Sequence, residues 1–471
     1  MLNLKEFKKN LTDSPVAVLG LGISGQSVIE AFDAHKISYV AWDDDSEKRA
    51  QAKPGKYGRI EDLREFDMAD FALLVAGPGI PLYHPAPHPL VDKAQKAGLE
   101  IIGDLEIFYR ANPGRKIIAI TGTNGKSTTT ALVGHILNHA GINCSVGGNI
   151  GYPALSLETP PEDGCFVLEV SSFQLDLCKA FQADIAAILN ITADHIDRHG
   201  SMERYCEAKK KVFANNRECF CVIDGGGQNT IKIAEELKKE GFNRICRVSI
   251  ENAENQGDVF VSAGVLYDKL EGEQKEIGKI NGIKILPGHH NHQNIAFAYS
   301  IVRDFRISPE IFIEAVKTFP GLPHRMYPVR VIQGVSYVND SKATNPVSAA
   351  TALKCYRKIY WIVGGLPKQG GLEGVEEELD SVKKAFVIGK FAEELADWLQ
   401  KRGVDCKISK TLDLAVNEAH ELAQSERGEP GGAGTVLLSP GCASYDSYES
   451  YEKRGQHFEK LVAALEERTM Q

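Results

Sequence analysis

The chain has 471 residues, 43% hydrophobic and 25% charged, with a formal net charge of −9. This is the composition of a globular protein, long enough at roughly 150 residues per domain for three domains. The acidic balance argues against a nucleic-acid partner but leaves small anionic substrates open.

Met1–Phe7 lacks the apolar stretch of a signal peptide. No apolar run of about 18 residues occurs, so no membrane span is expected. The ten cysteines are scattered without a Cys-x-x-Cys pair, and Cys219 and Cys221 are too close for ordinary zinc spacing. Together these features predict a reduced, cytoplasmic setting.

In the N-terminal region the strand Val16–Leu19 leads into Gly20-Leu21-Gly22-Ile23-Ser24-Gly25. A helix follows from Ser27 to Ala34, then a strand Ser38–Trp42 ending in Asp43-Asp44-Asp45. Glycine loop, helix and a downstream acid form the dinucleotide-binding layout, which any nucleotide diphosphate would also satisfy. Further strands are predicted at Phe71–Val75, before the turn Ala76–Pro81, and at Leu99–Asp104. Asn112-Pro113-Gly114 reads as a linker.

The most informative stretch runs from Ile117 to Thr130. A β-branched strand breaks into Thr121-Gly122-Thr123-Asn124-Gly125-Lys126-Ser127-Thr128, and a helix continues through Leu137. A glycine turn feeding a helix N-terminus cradles phosphate oxygens. Lys126 suits the β/γ-phosphates and Ser127 a Mg²⁺ ion. The general P-loop pattern wants a glycine where this chain has Ile120. Next come a strand ending at Gly147–Gly151, an apolar strand carrying Glu169, and the strand Ala186–Leu189 leading to Asp194-His195. Alternating strands and helices predict a parallel sheet, whose strand ends share one edge with the phosphate loop. Glu169 and His195 would therefore reach a metal held on the phosphates. Residues 250–286 read as a peripheral antiparallel appendage, and Gly288–Asn294 opens a helix.

Pro320–Arg325 reads as a hinge. Beyond it, strands at Val335–Val338, Ile359–Val363, Ala385–Ile388 and Thr435–Leu438 each end in polar or glycine-rich loops, as in a second nucleotide-binding type of α/β domain. No G-x-S-x-G elbow accompanies Ser444 or Cys442.

Thr121–Thr128, Gly147–Gly151, Glu169–Leu175, Leu322–Arg325 and Asn339–Asn345, with the N-terminal glycines and the Ser444 tail, resemble the Mur ligases in order and spacing over essentially the whole chain. Ser171-Ser172-Phe173-Gln174 and the tail are most similar to the members that add D-glutamate. The resemblance implies an α/β protein of three domains. Residues 1–112 form a Rossmann-like UDP-sugar domain, 113–320 a P-loop ATPase-type parallel sheet with a small β appendage, and 321–471 a Rossmann-like amino-acid domain. The implied activity is ATP-dependent addition of D-glutamate to UDP-N-acetylmuramoyl-L-alanine, through an acyl phosphate and a tetrahedral intermediate, in peptidoglycan precursor synthesis.

The resemblance also implies roles for residues. Lys126, Glu169, His195 and Lys209 are catalytic. ATP is held by Gly122, Thr123, Asn124, Gly125, Lys126, Ser127, Thr128, Asn291, Asn294, Arg325 and Asp340. Two Mg²⁺ ions fall to Ser127, Glu169, His195 and a carbamylated Lys209. The UDP-sugar takes Gly22, Ser24, Asp43, Asn149, Gln174 and His195, and D-glutamate takes Lys342, Thr344, Lys368, Ser444, Tyr445 and Tyr451. A monomer acting on small molecules is expected, with its third domain closing on the second. Rival readings are a nicotinamide dehydrogenase built on Gly20–Gly25, a non-ligating nucleotide-dependent binding protein, and a Mur-type ligase for another amino acid.

Overall fold

The computed structural model of the protein describes residues 2–250, 257–367, 370–429 and 432–465. Its first sheet contains β1 (Val16–Leu19), β2 (Tyr39–Trp42), β3 (Gly58–Ile60), β4 (Leu74–Ala76) and β5 (Ile101–Ile102), all parallel in the order β3-β2-β1-β4-β5. β1 is buried throughout, as a strand covered on both faces must be. Two strands are shorter than the sequence suggests. Asp67 caps a 3₁₀ turn at Met68–Asp70, which delays β4. Gly103 ends β5 by opening the helix Asp104–Ala111, so Asp104 lies in a helical first turn rather than on a strand.

The central sheet contains β6 (Lys116–Thr121), β7 (Cys144–Gly148), β8 (Cys165–Glu169), β9 (Ile185–Ile188), β10 (Phe220–Asp224), β11 (Ile245–Ile250), β12 (Val259–Ser262), β13 (Val265–Asp268) and β14 (Lys275–Lys279). The order is β14-β13-β12-β11-β10-β9-β6-β8-β7. Only β12-β13 and β13-β14 are antiparallel, and they extend the edge of this same sheet. β6 lies between β8 and β9, so the chain leaves it in one direction and returns on its other side. That is a topological switch point, where a crevice opens beyond the strand ends. Ile120 pairs with Glu169 and Thr121 with Ile188, which aligns the glycine turn with both neighbouring strand ends.

The third sheet contains β15 (Tyr327–Ile332), β16 (Val335–Asn339), β17 (Ile359–Gly364), β18 (Val382–Ile388), β19 (Cys406–Lys410) and β20 (Thr435–Leu438) in the order β15-β16-β20-β17-β18-β19. It is parallel except for β15.

The chain forms two compact units. One comprises Met1–Asn281 and Asn291–Phe319; the other comprises Gly282–His290 and Pro320–Gln471. Within the first unit, the helix Asp104–Ala111 joins the first two sheets into one core. Phe108 meets Phe166 edge-on at 4.8 Å. The wholly buried Glu106 carboxylate accepts from the backbone N–H groups of Lys179, Ala180 and Phe181. Among the described residues, no helix is long and apolar enough to cross a membrane.

Candidate functional site

The glycine turn after β6 is built for close backbone approach. Gly125 sits at φ +83, where a Cβ would lie 2.4 Å from Asn294 Oδ1. It opens the helix Lys126–His139, whose first turn presents Lys126, the buried Ser127 and the half-buried Thr128. Asn294 accepts from Thr129 Oγ1 at 3.2 Å and donates to Asn291 Oδ1 at 2.9 Å. Both asparagines are therefore packed against the start of this helix. Thr123 Oγ1 takes the Thr192 N–H at 3.0 Å and lies 3.1 Å from the Tyr205 hydroxyl.

Asn190, which the sequence reading did not single out, staples the turn from both sides. Its Oδ1 accepts from Asn124 N at 2.8 Å, and its Nδ2 donates to Asn124 O at 3.1 Å. Its position just beyond β9 is the only signal the sequence offered.

Two lysines meet over this turn. Lys126 Nζ donates to Gly122 O and Thr123 O, each at 2.9 Å. Lys209 Nζ donates to the same Gly122 O at 2.8 Å. Lys209 is buried on the helix Met202–Lys210. Burial, reinforced by the Lys126 charge, holds its ammonium pKa well below the usual lysine range.

Glu169 ends β8 beside the turn, at 2% exposure. Its Oε1 accepts from Asn149 Nδ2 at 2.7 Å, while the buried Oε2 has no hydrogen-bond partner. Burying a carboxylate oxygen without a donor is costly unless a cation completes it. Mg²⁺ is commonly held by one or two carboxylates together with substrate phosphates. Glu169 beside a phosphate cradle fits that demand. Lys209 as an ammonium has the wrong sign for a metal ligand, whereas its carbamate would be an anionic oxygen donor. His195 is exposed, at φ +53; its ring packs 5.1 Å from Phe173, and its Nε2 lies 3.5 Å from Asp194 Oδ2. Among the described residues, no three His, Cys, Asp or Glu side chains form a ready-made metal cage.

On the first sheet, Asp43 Oδ2 accepts from Leu21 N at 2.7 Å and Oδ1 from Asp45 N at 2.9 Å. The acid thus pins the glycine loop. Gly25 is obligatory there, because a Cβ would fall 1.9 Å from Gly20 O. Gly22 caps the helix Ile23–Ala34 with open space at its Cα. Ser24 and Gln174 both hydrogen-bond Asp104, a buried acid absent from the sequence prediction, whose carboxyl is pushed up by burial. Gln174 also closes a capping box with Ser171. Arg198 reaches across from the central sheet and donates to Ile80 O in the turn after β4.

In the second unit, β16 and β20 are parallel neighbours, with Asn339 opposite Leu438, so Asp340–Thr344 and Ser439–Ser444 emerge at one edge. Lys342 Nζ lies 3.9 Å from the Tyr451 ring centroid, Thr344 N donates to Lys342 O at 2.8 Å, and Ser444 is buried. Tyr445 is exposed, and Lys368 lies outside the described residues. Both Asp340 oxygens work within this unit: one accepts from Met326 N at 3.1 Å, the other from Ser439 Oγ at 2.7 Å. Burial pushes this carboxyl up to about 7, partly opposed by those bonds and by Arg325.

Comparison with known proteins matches three family models in sequence order. A Mur ligase MurD-like N-terminal domain matches residues 14–103, a Mur ligase middle domain 120–302, and a Mur ligase glutamate ligase domain 324–442. A UDP-N-acetylmuramoylalanine–D-glutamate ligase from Phenylobacterium zucineum is 41% identical over 460 residues, covering 96% of each chain. The protein of the same name from Rhizobium etli is 41% identical over 98% of this chain and 97% of its own. Among solved structures, the UDP-N-acetylmuramate–alanine ligase MurC of Thermotoga maritima shares the fold. Its TM-score is 0.57 at 18% identity, over 96% of this chain and 99% of its own. MurF of Acinetobacter baumannii does so at TM-score 0.57 and 17% identity, over 97% and 95%.

Proposed function

The chain belongs to the Mur ligase family, and we propose that it joins D-glutamate to UDP-N-acetylmuramoyl-L-alanine at the cost of ATP, in peptidoglycan precursor synthesis. The observation that carries the chemical assignment is the meeting of Lys126, Lys209 and the half-satisfied Glu169 at the glycine turn of the switch-point crevice. The alanyl carboxylate attacks the γ-phosphorus and ADP departs, leaving an acyl phosphate. The D-glutamate amine then attacks the acyl carbon, phosphate leaves and the amine proton is lost.

Each step brings oxyanions together, and the chain's part is to hold and neutralise them. Lys126 and the N–H groups of Gly122–Thr128 take the triphosphate, with Asn190 fixing the turn. Asn291 and Asn294 steady the helix start. Mg²⁺ supplies Lewis-acid charge stabilisation at the phosphates; Ser127, Glu169, His195 and Lys209 as its carbamate would hold two ions. A buried neutral amine condenses with CO₂ to a carbamate, releasing one proton, and the surroundings of Lys209 favour the neutral form. Gly22 and Ser24, at an open helix N-terminus, suit the pyrophosphate, with Asp43 holding the loop. Asn149, Gln174 and His195 take the muramoyl-alanine end. Lys342, Thr344, Ser444 and Tyr451 take D-glutamate. The ten cysteines are all free thiols, which supports a cytoplasmic setting.

The test is phosphate release from MgATP in the presence of the nucleotide sugar. It should depend on D-glutamate and vanish in Lys126→Ala while the protein stays folded. Retained turnover in that variant would remove the phosphate-loop assignment.

A further inference from the structure

Beneath the loops of the amino-acid site assigned above lies a buried arginine to which that assignment gives no role. Arg454, on the helix Tyr451–Ala463, is 1% exposed and among the largest fully buried side chains. Its Nε donates to Ser341 Oγ at 3.0 Å and its Nη2 to Ser341 O at 2.9 Å. Nη1 and Nη2 both donate to Cys442 O at 3.2 Å. Ser341 Oγ donates in turn to Tyr451 O at 2.8 Å. A Cβ on Gly365 would lie 3.3 Å from Nη1, so the turn after β17 rests on the same guanidinium.

Four segments therefore converge on one side chain: the loop carrying Lys342 and Thr344, the loop carrying Ser444, the helix start carrying Tyr451, and the glycine turn. The acceptors are two carbonyls and a hydroxyl rather than a carboxylate. Asp446 and Asp340 act on the guanidinium only across space. A buried guanidinium satisfied by neutral dipoles retains its charge, and its field is poorly screened. Neither acid bonds the guanidinium directly, and a dicarboxylate bound between Lys342 and Ser444 would add negative charge to its field.

We propose that Arg454 is a positioning residue for the amino-acid substrate: it sets the spacing of Lys342 and Ser444 and adds buried positive potential that selects a dicarboxylic amino acid. The inference rests on the amino-acid site proposed above. Arg454→Met removes fork and charge at similar volume, Arg454→Lys keeps the charge, and Ser444→Ala tests the site itself. Steady-state KM values would be measured for D-glutamate, ATP and the nucleotide sugar, with thermal unfolding alongside.

Arg454→Met should raise the D-glutamate KM about tenfold or more, as expected for loss of charge-assisted positioning, with the other two KM values changed less than about twofold. Arg454→Lys should recover part of the loss and, should the Met variant fail to fold, decides the matter by the same KM ratio. A uniform change in all three KM values, or a lowered melting temperature with an unchanged D-glutamate KM, would make Arg454 merely structural and overturn the proposal. A rise in D-glutamate KM for Ser444→Ala without one for Arg454→Met or Arg454→Lys would overturn the proposal while keeping the site. No rise for Ser444→Ala either would overturn both.

Discussion

Replacing Gly125 with alanine should damage the phosphate loop by a route the geometry makes separable. At φ +83 an alanine costs about 1–2 kcal/mol, because its Cβ crowds the following carbonyl in the left-handed region. The new Cβ also falls 2.4 Å from Asn294 Oδ1, so Asn294 must move. Moving it strains its bonds with Thr129 and Asn291, each worth about 1 kcal/mol net. The total is about 2–4 kcal/mol. Gly141→Ala is the control: φ is +78 there, but a Cβ would meet nothing within 4 Å. Urea unfolding should place Gly141→Ala near the conformational cost alone and Gly125→Ala well beyond it. In a double-mutant cycle, Asn294→Ala should relieve the excess, giving a coupling energy of about 1 kcal/mol or more. Additive single and double variants, or equal losses at Gly125 and Gly141, would refute the steric reasoning.

Two other outcomes follow from single groups. Glu169→Gln keeps the acceptor for Asn149 but removes the charge of the unpartnered buried oxygen. It should leave stability unchanged or slightly raised and increase the Mg²⁺ concentration for half-maximal turnover by about tenfold or more; a normal Mg²⁺ titration would contradict the role given to Glu169. Asp340 is raised by burial to about 7, above its unfolded value, so the native state binds the extra proton between about pH 4 and 7. Its contribution to stability is present below that window and is lost as pH rises through it. Denaturation at pH 5 and pH 8 should show a loss on the order of a few kcal/mol at most in the parent that Asp340→Asn flattens. An equal pH dependence in both would show that Asp340 is ionised in the folded protein throughout.

Local pattern revealed the parts of this protein that are local. The β-branched run before Thr121-Gly122 and the helix start at Lys126 are written in consecutive residues, and so are the glycines after β1. Glu169 is legible as a carboxylate ending an apolar strand on the edge it shares with the loop, whereas Lys209 enters only through resemblance; folding places Glu169 beside the turn and Lys209 on it. What remained hidden depends on contacts between distant residues. Asn190 is an ordinary polar residue beyond a strand until Asn124 is folded against it, 66 positions away. Asp104 reads as a strand end because nothing nearby reveals that Ser24 and Gln174 will both find it. Asp43 fits the downstream acid of a dinucleotide-binding layout from its spacing, yet both its oxygens hold backbone N–H groups. Gly282–His290 groups with the C-terminal unit although the chain then returns to the first. Hydrophobic periodicity carries no information about such a crossing.

The most direct test of the whole account is phosphate release by the intact chain with MgATP and UDP-N-acetylmuramoyl-L-alanine, each candidate amino acid being offered separately. Release is expected with D-glutamate, matched mole for mole by amide product, and only background with L-glutamate or neutral amino acids. Release driven by another amine would contradict the amino-acid assignment, and ATP binding without release under any amine would contradict ligation itself.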